Sequence, residues 1–546
     1  MLNGWVIGAI IAAVLVVLPL MVLAPSVFLR GDEVWQHIMQ RLLPGYVINT
    51  ILLMIGVGIL TTIMGLVSAW LVTMYRFPGR SIFQWALILP IAIPAYINGF
   101  TWAGILDYTS PVYVFFRHAF GIETGPYLFF NILSLPGAVI ILSLSLYPYV
   151  YLITRAWFLK QSTLLFEASA SLGRKPLNTF FTIVIPLTRP ALVAGVSLVL
   201  MEVLNEYGLV TYFGVDTFTT GIFTAWFAFG NPVAAMKLST YLMVIVLGLI
   251  VMERYQRRNK RYDLIGSSYR PVKPRKISPP ASMLCILFCL APLLAGFIIP
   301  AIKLGYWSSY TAGTVLDMRF LGLLRNSFFL AFTAAIIVAG VALFVAFTVR
   351  TFPHIFVRSL ARVSNLGYAI PGAVVAIGII VFTLWMDQHI RSWIPGMQVA
   401  LSGRMGVLVF AYVVRFMAVG YNPIESGMAR VSKSLDEAAR SLGHSNWKNL
   451  RRINLPLVKG SLLSAVLLVF IDVIKELPIT LILRPFNFDT LAIRAFEFAS
   501  DERIAEAAPA ALIIILVGLI PVYLLNRLLE GAEGKKPKVE REDFIS

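Results

Sequence analysis

Four carboxylates stand out because they lie where charge is expensive. Glu202 and Glu206 are four residues apart in one long apolar stretch, and Asp472 and Glu476 are four apart in another. If both stretches are helical, each pair sits one turn apart on a single face. A charge within a membrane span costs roughly 2.5–3.5 kcal/mol on insertion scales. The two pairs occupy equivalent places in two halves of the chain, with Asn205 in the first matched by Lys475 in the second. Carboxylates converging on a passage offer oxygen donors suited to a hard cation. Their ligation has to stay incomplete, since a full cage would hold the ion, so no tightly bound metal is expected. The plainer reading places them near span ends, or neutralised by Lys475 and Arg484.

Two polar loops carry a second repeated pattern. One, at about 158–189, contains FEASASLG (Phe166 to Gly173); the other, at about 425–459, contains DEAARSLG (Asp436 to Gly443). In each, a Glu (Glu167, Glu437) precedes small residues, Ala168 and Ser169 or Ala438 and Ala439. A Gly (Gly173, Gly443) and a Pro (Pro186, Pro456) follow at identical spacing. Small residues and a short helix ended by Gly let a partner surface approach closely. A capping box from Ser434 to Glu437 is a local explanation for the second Glu. It does not extend to Glu167, where Thr163 is four residues back. Mere connectors have no need to keep Glu–Gly–Pro spacing twice.

The elements that position these groups must be membrane helices. The 546 residues are 58% hydrophobic and only 13% charged, against about 25% charged in soluble domains. Runs such as 5–29, 81–106, 277–302 and 326–349 lack any charged side chain, and each approaches or exceeds the roughly 20 residues that span a bilayer. They do not alternate as barrel strands do. The expected fold is an all-α integral membrane protein with about twelve spans, at 5–29, 47–75, 83–106, 128–154, 190–212, 236–253, 281–302, 326–349, 364–386, 405–424, 460–483 and 507–528. The first is too long for a signal-peptide core and lacks a preceding basic residue.

A net charge of +18 would suggest nucleic acid in a soluble protein. Here, threading twelve spans from a cytoplasmic N-terminus puts about two-thirds of the Lys and Arg inside, as the positive-inside rule requires. Both termini are then cytoplasmic, and no nucleic-acid partner is expected. Cys285 and Cys289, four apart in the seventh span, read as small buried apolar residues. The segment 254–280, basic and containing Pro271, Pro274, Pro279 and Pro280, reads as a linker. It separates domains 1–253 and 281–529, and 530–546 is a cytoplasmic tail. Asn49, Ala69 and Pro94 match Asn326, Ala346 and Pro371 at one offset; the loop residues and carboxylates match at another, seven shorter. Six spans per copy keep both copies in the same orientation, with a pathway expected between them.

The paired loops resemble the EAA loops of binding-protein-dependent ABC importer permeases. The second copy fits that pattern fully; the first carries Ser169 where the second Ala is expected. The double length, with KELPITLILRPFNFDTLAIRAFEFASDE from Lys475 and EYGLVTYFGVDTFTTGIF from Glu206, is similar to ferric-iron permeases; thiamine and polyamine permeases share the scaffold. The resemblance implies a bacterial-type inner membrane, two copies of a cytoplasmic ATPase subunit docked at the loops, and a periplasmic or extracellular binding protein. Ferric iron would be the cargo. ATP and Mg would sit on the partner, since this chain has no G-x-x-x-x-G-K-[ST] phosphate loop. The chain is expected to be a transport subunit without enzymatic activity and without a cofactor of its own. The rival from another class is a proton-coupled secondary transporter, against which the twin loops argue. No nucleophile–base pair supports an intramembrane enzyme.

Overall fold

The computed structural model describes residues 3–120, 131–159, 171–173, 176–258, 274–393 and 400–534. It is helical, as an apolar chain in lipid must be to satisfy its backbone groups. Among the described residues, eleven helices are long and apolar enough to cross a membrane, and one bent pair makes twelve. In chain order these spans are Gly4–Phe28, Glu33–Met74, the bent pair Arg80–Ala92 with Ala95–Ile105, Leu135–Leu159, Phe180–Asn205 and Pro232–Gln256. The second half follows with Pro279–Val315, Met318–Thr351, Gly372–Ser392, Met405–Ala429, Asn446–Ile474 and Ile504–Pro521. The second span leaves Ile48, Ile51, Ile55, Ile59 and Ile63 exposed. Their three- and four-residue spacing makes an apolar stripe suited to lipid.

The third span is not the continuous helix expected at 83–106. It bends by 92° between Ala92 and Ala95. Proline forces its predecessor out of the helical region, and Ile93 before Pro94 is extended. Pro371 does the same in the second half, where Ile370 is extended and the ninth span starts at Gly372 rather than near 364. The fifth and eleventh spans also stop early, at Asn205 and Ile474, before short helices Gly208–Tyr212 and Pro478–Leu483. Residues at or beside all four breaks, Pro94, Asn205, Tyr368 and Lys475, line one cavity.

Each half lays its first span across the other. Trp5 of the first span stacks on Phe344 of the eighth at 5.1 Å. A Cβ on Gly8 would come within 2.5 Å of that Phe344 ring, so the ring would have to shift if Gly8 carried a side chain. In return, the carbonyl of Ala295 in the seventh span accepts from Trp102 Nε1 of the third at 2.9 Å. The end of the linker is fastened as well: Tyr75–Arg76 and Arg275–Lys276 form a two-residue parallel bridge. The linker's central part, 259–273, lies outside the described residues. Cys285 and Cys289 are buried and free.

Candidate functional site

The helix breaks open a cavity of about 130 Å³ between the halves. Glu202, Asn205, Glu206, Asp472, Lys475 and Glu476 all line it, together with Tyr96, Tyr149, Tyr368 and Arg415. The structure thus brings together every residue proposed for the pathway, but in two roles. Glu206 and Glu476 do not continue the helix faces of Glu202 and Asp472, because each lies past its helix end. Their carboxylates satisfy the free N–H groups that begin the next short helix. Glu206 Oε1 accepts from the Leu209 amide at 2.8 Å. Glu476 accepts from the Ile479 amide at 3.1 Å and the Thr480 amide at 3.2 Å.

Glu202 and Asp472 remain on their helices and face the cavity without such duty. Glu202 Oε1 accepts from the Tyr368 hydroxyl at 3.3 Å, and Asp472 pairs with Lys475 at 2.8 Å. Arg484, considered as another partner, lies elsewhere and pairs with Asp489 and Glu497. Arg415, inside the tenth span, donates to the carbonyls of Tyr368 at 2.5 Å and of Ile370. Asn205 Oδ1 accepts from the Gly372 amide at 2.7 Å, tying the fifth span to the break before the ninth. Four carboxylates therefore meet two cations, and the cavity carries an acidic excess. Among the described residues no three His, Cys, Asp or Glu side chains are grouped to hold a metal ion.

The loops occupy the ends of the bundle. Glu167, Ala168 and Ser169 lie outside the described residues. Gly173 is described and has φ +72°; Gly443 has φ +75°. The helix Lys433–Ser441 ends in a Schellman arrangement, with His444 N donating to the Ala439 carbonyl and Gly443 N to that of Arg440. Its N-cap is Ser432, not Ser434, so the capping box with Glu437 does not form. Glu437 and Ala438 are exposed and Ala439 is buried. Pro186 and Pro456 each follow a π turn, Phe180–Val184 and Leu450–Asn454, whose i→i+5 bonding accommodates the missing proline donor.

The second loop is held by a polar network. Asp436 accepts from Arg350 Nε at 2.6 Å, Asn454 at 2.8 Å and Asn449 at 3.1 Å. The same guanidinium donates to the carbonyls of Met428 at 2.5 Å and Val431 at 3.0 Å. Burial pushes the Asp436 carboxyl up, but the bonds from Asn454, Arg350 and Asn449 outweigh it and hold it below the ordinary value. A depressed carboxyl contributes stability above its unfolded pKa and loses it as pH falls through the folded one. The loop attachment is therefore expected to persist at neutral and mildly acid pH and to loosen only in strong acid, which hydrogen exchange at the Lys433–Ser441 amides would detect.

No side chain can follow either glycine cheaply, since a left-handed residue with a Cβ costs roughly 1–2 kcal/mol, although open space surrounds both positions. Gly443→Val is expected to leave the chain inserted while loosening the end of the helix Lys433–Ser441. Gly173→Val should act in the same direction. Hydrogen exchange at the amides around both glycines in the single and double variants checks this; wild-type protection in the double variant would contradict it.

The model for the family described as "Binding-protein-dependent transport system inner membrane component" matches residues 61–261 and 337–532, once in each half. The chain belongs to this permease family. The permease is similar to the "Fe(3+)-transport system permease protein FbpB 2" of Haemophilus influenzae, with 28% identity covering 88% of this chain and 89% of that one. It is also similar to the "Ferric transport system permease protein FbpB" of Actinobacillus pleuropneumoniae, with 24% identity covering 97% and 75% respectively. The shorter "Putative 2-aminoethylphosphonate transport system permease protein PhnV" of Salmonella typhimurium matches 45% of this chain with 92% of its own length, at 24% identity.

Two features of the permease escaped the sequence reading. Leu172 and Leu442, the residues before the two left-handed glycines, are 79% and 78% exposed. The Ser-Leu-Gly shared by both loops was the available signal. The Arg350–Asp436 pair joins residues far apart in sequence, and no local pattern announces it.

Proposed function

We propose that this permease moves ferric iron across a bacterial-type inner membrane, as the fused membrane subunit of an ATP-driven importer. The observation that carries the reading is the cavity between the halves, where Glu202 and Asp472 present oxygen donors beside an acidic excess. Hard oxygen donors suit a hard cation. At about 130 Å³, the cavity is below the roughly 300–1,000 Å³ of pockets for small organic molecules. This favours an ion over thiamine or a polyamine, and the ferric relatives support the same choice.

An extracytoplasmic binding protein would deliver the cargo, and two copies of a separate ATP-binding subunit would dock at the loops, with both termini of this chain in the cytoplasm. The halves 1–253 and 281–529 would serve as the two membrane domains, joined by 254–280. Exposed Leu172 and Leu442 would enter the ATPase grooves, and Glu437 and Ala438 would lie against their walls. ATP-driven closure would shift the population between inward and outward access. Purified alone, the chain is expected to hydrolyse no ATP. Uptake by the complex reconstituted in vesicles, comparing ferric iron with thiamine and polyamines, tests the assignment. Iron uptake that fails while an organic cation is taken up would overturn the cargo, and substantial hydrolysis by the isolated chain would overturn the division of labour.

A further inference from the structure

A second, larger cavity of about 430 Å³ lies beside the first, on the side of the seam marked by the loop-facing ends of the sixth, eighth and tenth spans. Met201, Asn365, Leu366, Ala369 and Glu425 are among its lining residues. Their chain neighbours Glu202 and Tyr368 line the central cavity instead. One layer, built from Met201–Glu202 of the first half and Tyr368–Ala369 of the second, therefore divides the two spaces.

That layer is closed by bonds between the halves. The Tyr368 hydroxyl donates to Glu202 at 3.3 Å, and Asn205 accepts from Gly372 at 2.7 Å. Arg415 holds the Tyr368 carbonyl, and its guanidinium lies 5.4 Å from the centre of the Tyr368 ring. The other side of the repeat axis differs. There Ile91 stands where Tyr368 does, Ser145 where Arg415 does, and Lys475 where Asn205 does. Isoleucine has no hydroxyl to offer Asp472, which pairs within its own segment to Lys475. Among the described residues, no hydrogen bond joins residues 89–95 to residues 472–476.

We propose that Tyr368 is a one-sided gate between the cavity and the cytoplasmic vestibule, latched across the halves by Glu202. The carboxylate that holds the latch is also a cavity-facing cation ligand. A cation reaching Glu202 competes with the tyrosine hydroxyl for the same oxygen and so loosens the partition on arrival. This last step rests on the cation reading above, whereas the partition and its latch do not.

The test needs no transport. In the full chain with Cys285→Ala and Cys289→Ala, Ser145→Cys places a thiol in the central cavity. Inside-out membrane vesicles without added iron are treated with a membrane-impermeant maleimide. Tyr368→Phe removes one hydrogen bond, worth roughly 1 kcal/mol, so labelling is expected to rise about fivefold. Tyr368→Ala also removes the ring and should raise it much further, whereas Ile91→Ala on the unlatched side should not. Equal rates in wild type, Tyr368→Phe and Tyr368→Ala would overturn the gate whatever the cargo. Glu202→Leu leaves the Tyr368 hydroxyl without its acceptor, so labelling at least as fast as in Tyr368→Phe is expected there. Slow, wild-type labelling of Glu202→Leu would overturn the proposed latch while leaving the cargo assignment standing.

Discussion

Changing Glu202 to Gln and Asp472 to Asn together is expected to lower iron uptake on the order of a hundredfold while the complex still assembles. The two side chains face the central cavity on helix ends, so the amides fit the same space but supply no negative charge. Each lost interaction between a charged group and cargo is worth about 1.5–3 kcal/mol, and two together exceed a tenfold effect comfortably. Lys475, now without Asp472, adds repulsion to the loss. The companion change, Glu206→Gln with Glu476→Gln, should be milder, because an amide oxygen still accepts from the Leu209 and Ile479 amides. Uptake and substrate-stimulated ATPase activity of both double variants measure the contrast. Unchanged uptake in the first would make these carboxylates structural and remove the site-level argument for a metal cation.

The second large effect concerns Arg350 and Asp436. Their side chains are only 8% and 12% exposed, so removing one strands the other in a poorly solvated site. Breaking such a pair costs about 3–5 kcal/mol. Arg350→Ala or Asp436→Ala is expected to lower the thermal midpoint and to free the helix Lys433–Ser441 from the eighth span. Replacing both with apolar residues, Arg350→Met with Asp436→Leu, should recover much of the stability, since no charge is then left alone. The carbonyls of Met428 and Val431 would still lose their donor, so recovery of ATPase coupling should lag behind recovery of stability. Melting curves and partner-binding measurements on the three variants separate the two quantities.

The spans were legible because lipid leaves an apolar run little choice but to be a helix. The repeat was legible because Glu, Gly and Pro recur at fixed spacing. What resisted reading was where helices stop. Pro94 and Pro371 were visible as matching residues, yet hydropathy continues through them, and a 92° bend leaves no mark on composition. Apolar residues flank Glu206 and Glu476, and that pattern alone places them on a helix face. Their capping role depends on a break for which Gly208 and Pro478, just beyond, are the local signals. Ser434 and Glu437 had the right spacing for a capping box, but the helix starts earlier, at Lys433, and Ser432 takes the cap. Asp436 carries no local mark beside Glu437, since Arg350 lies 86 residues away and Asn449 and Asn454 reach it only once the loop has folded back.

The exchanged first spans have a bearing on biosynthesis. Gly4–Phe28 leaves the ribosome first, yet the Phe344 ring that fits against Gly8 belongs to the eighth span and is made much later. Until then the earliest segment stands in the bilayer without its packing surface, and the first half is assembled without its strap. Folding of the halves is therefore interleaved rather than sequential, unlike the usual domain-by-domain order. A nascent chain halted in the linker would hold six inserted helices and an unfinished seam, a natural target for membrane quality control.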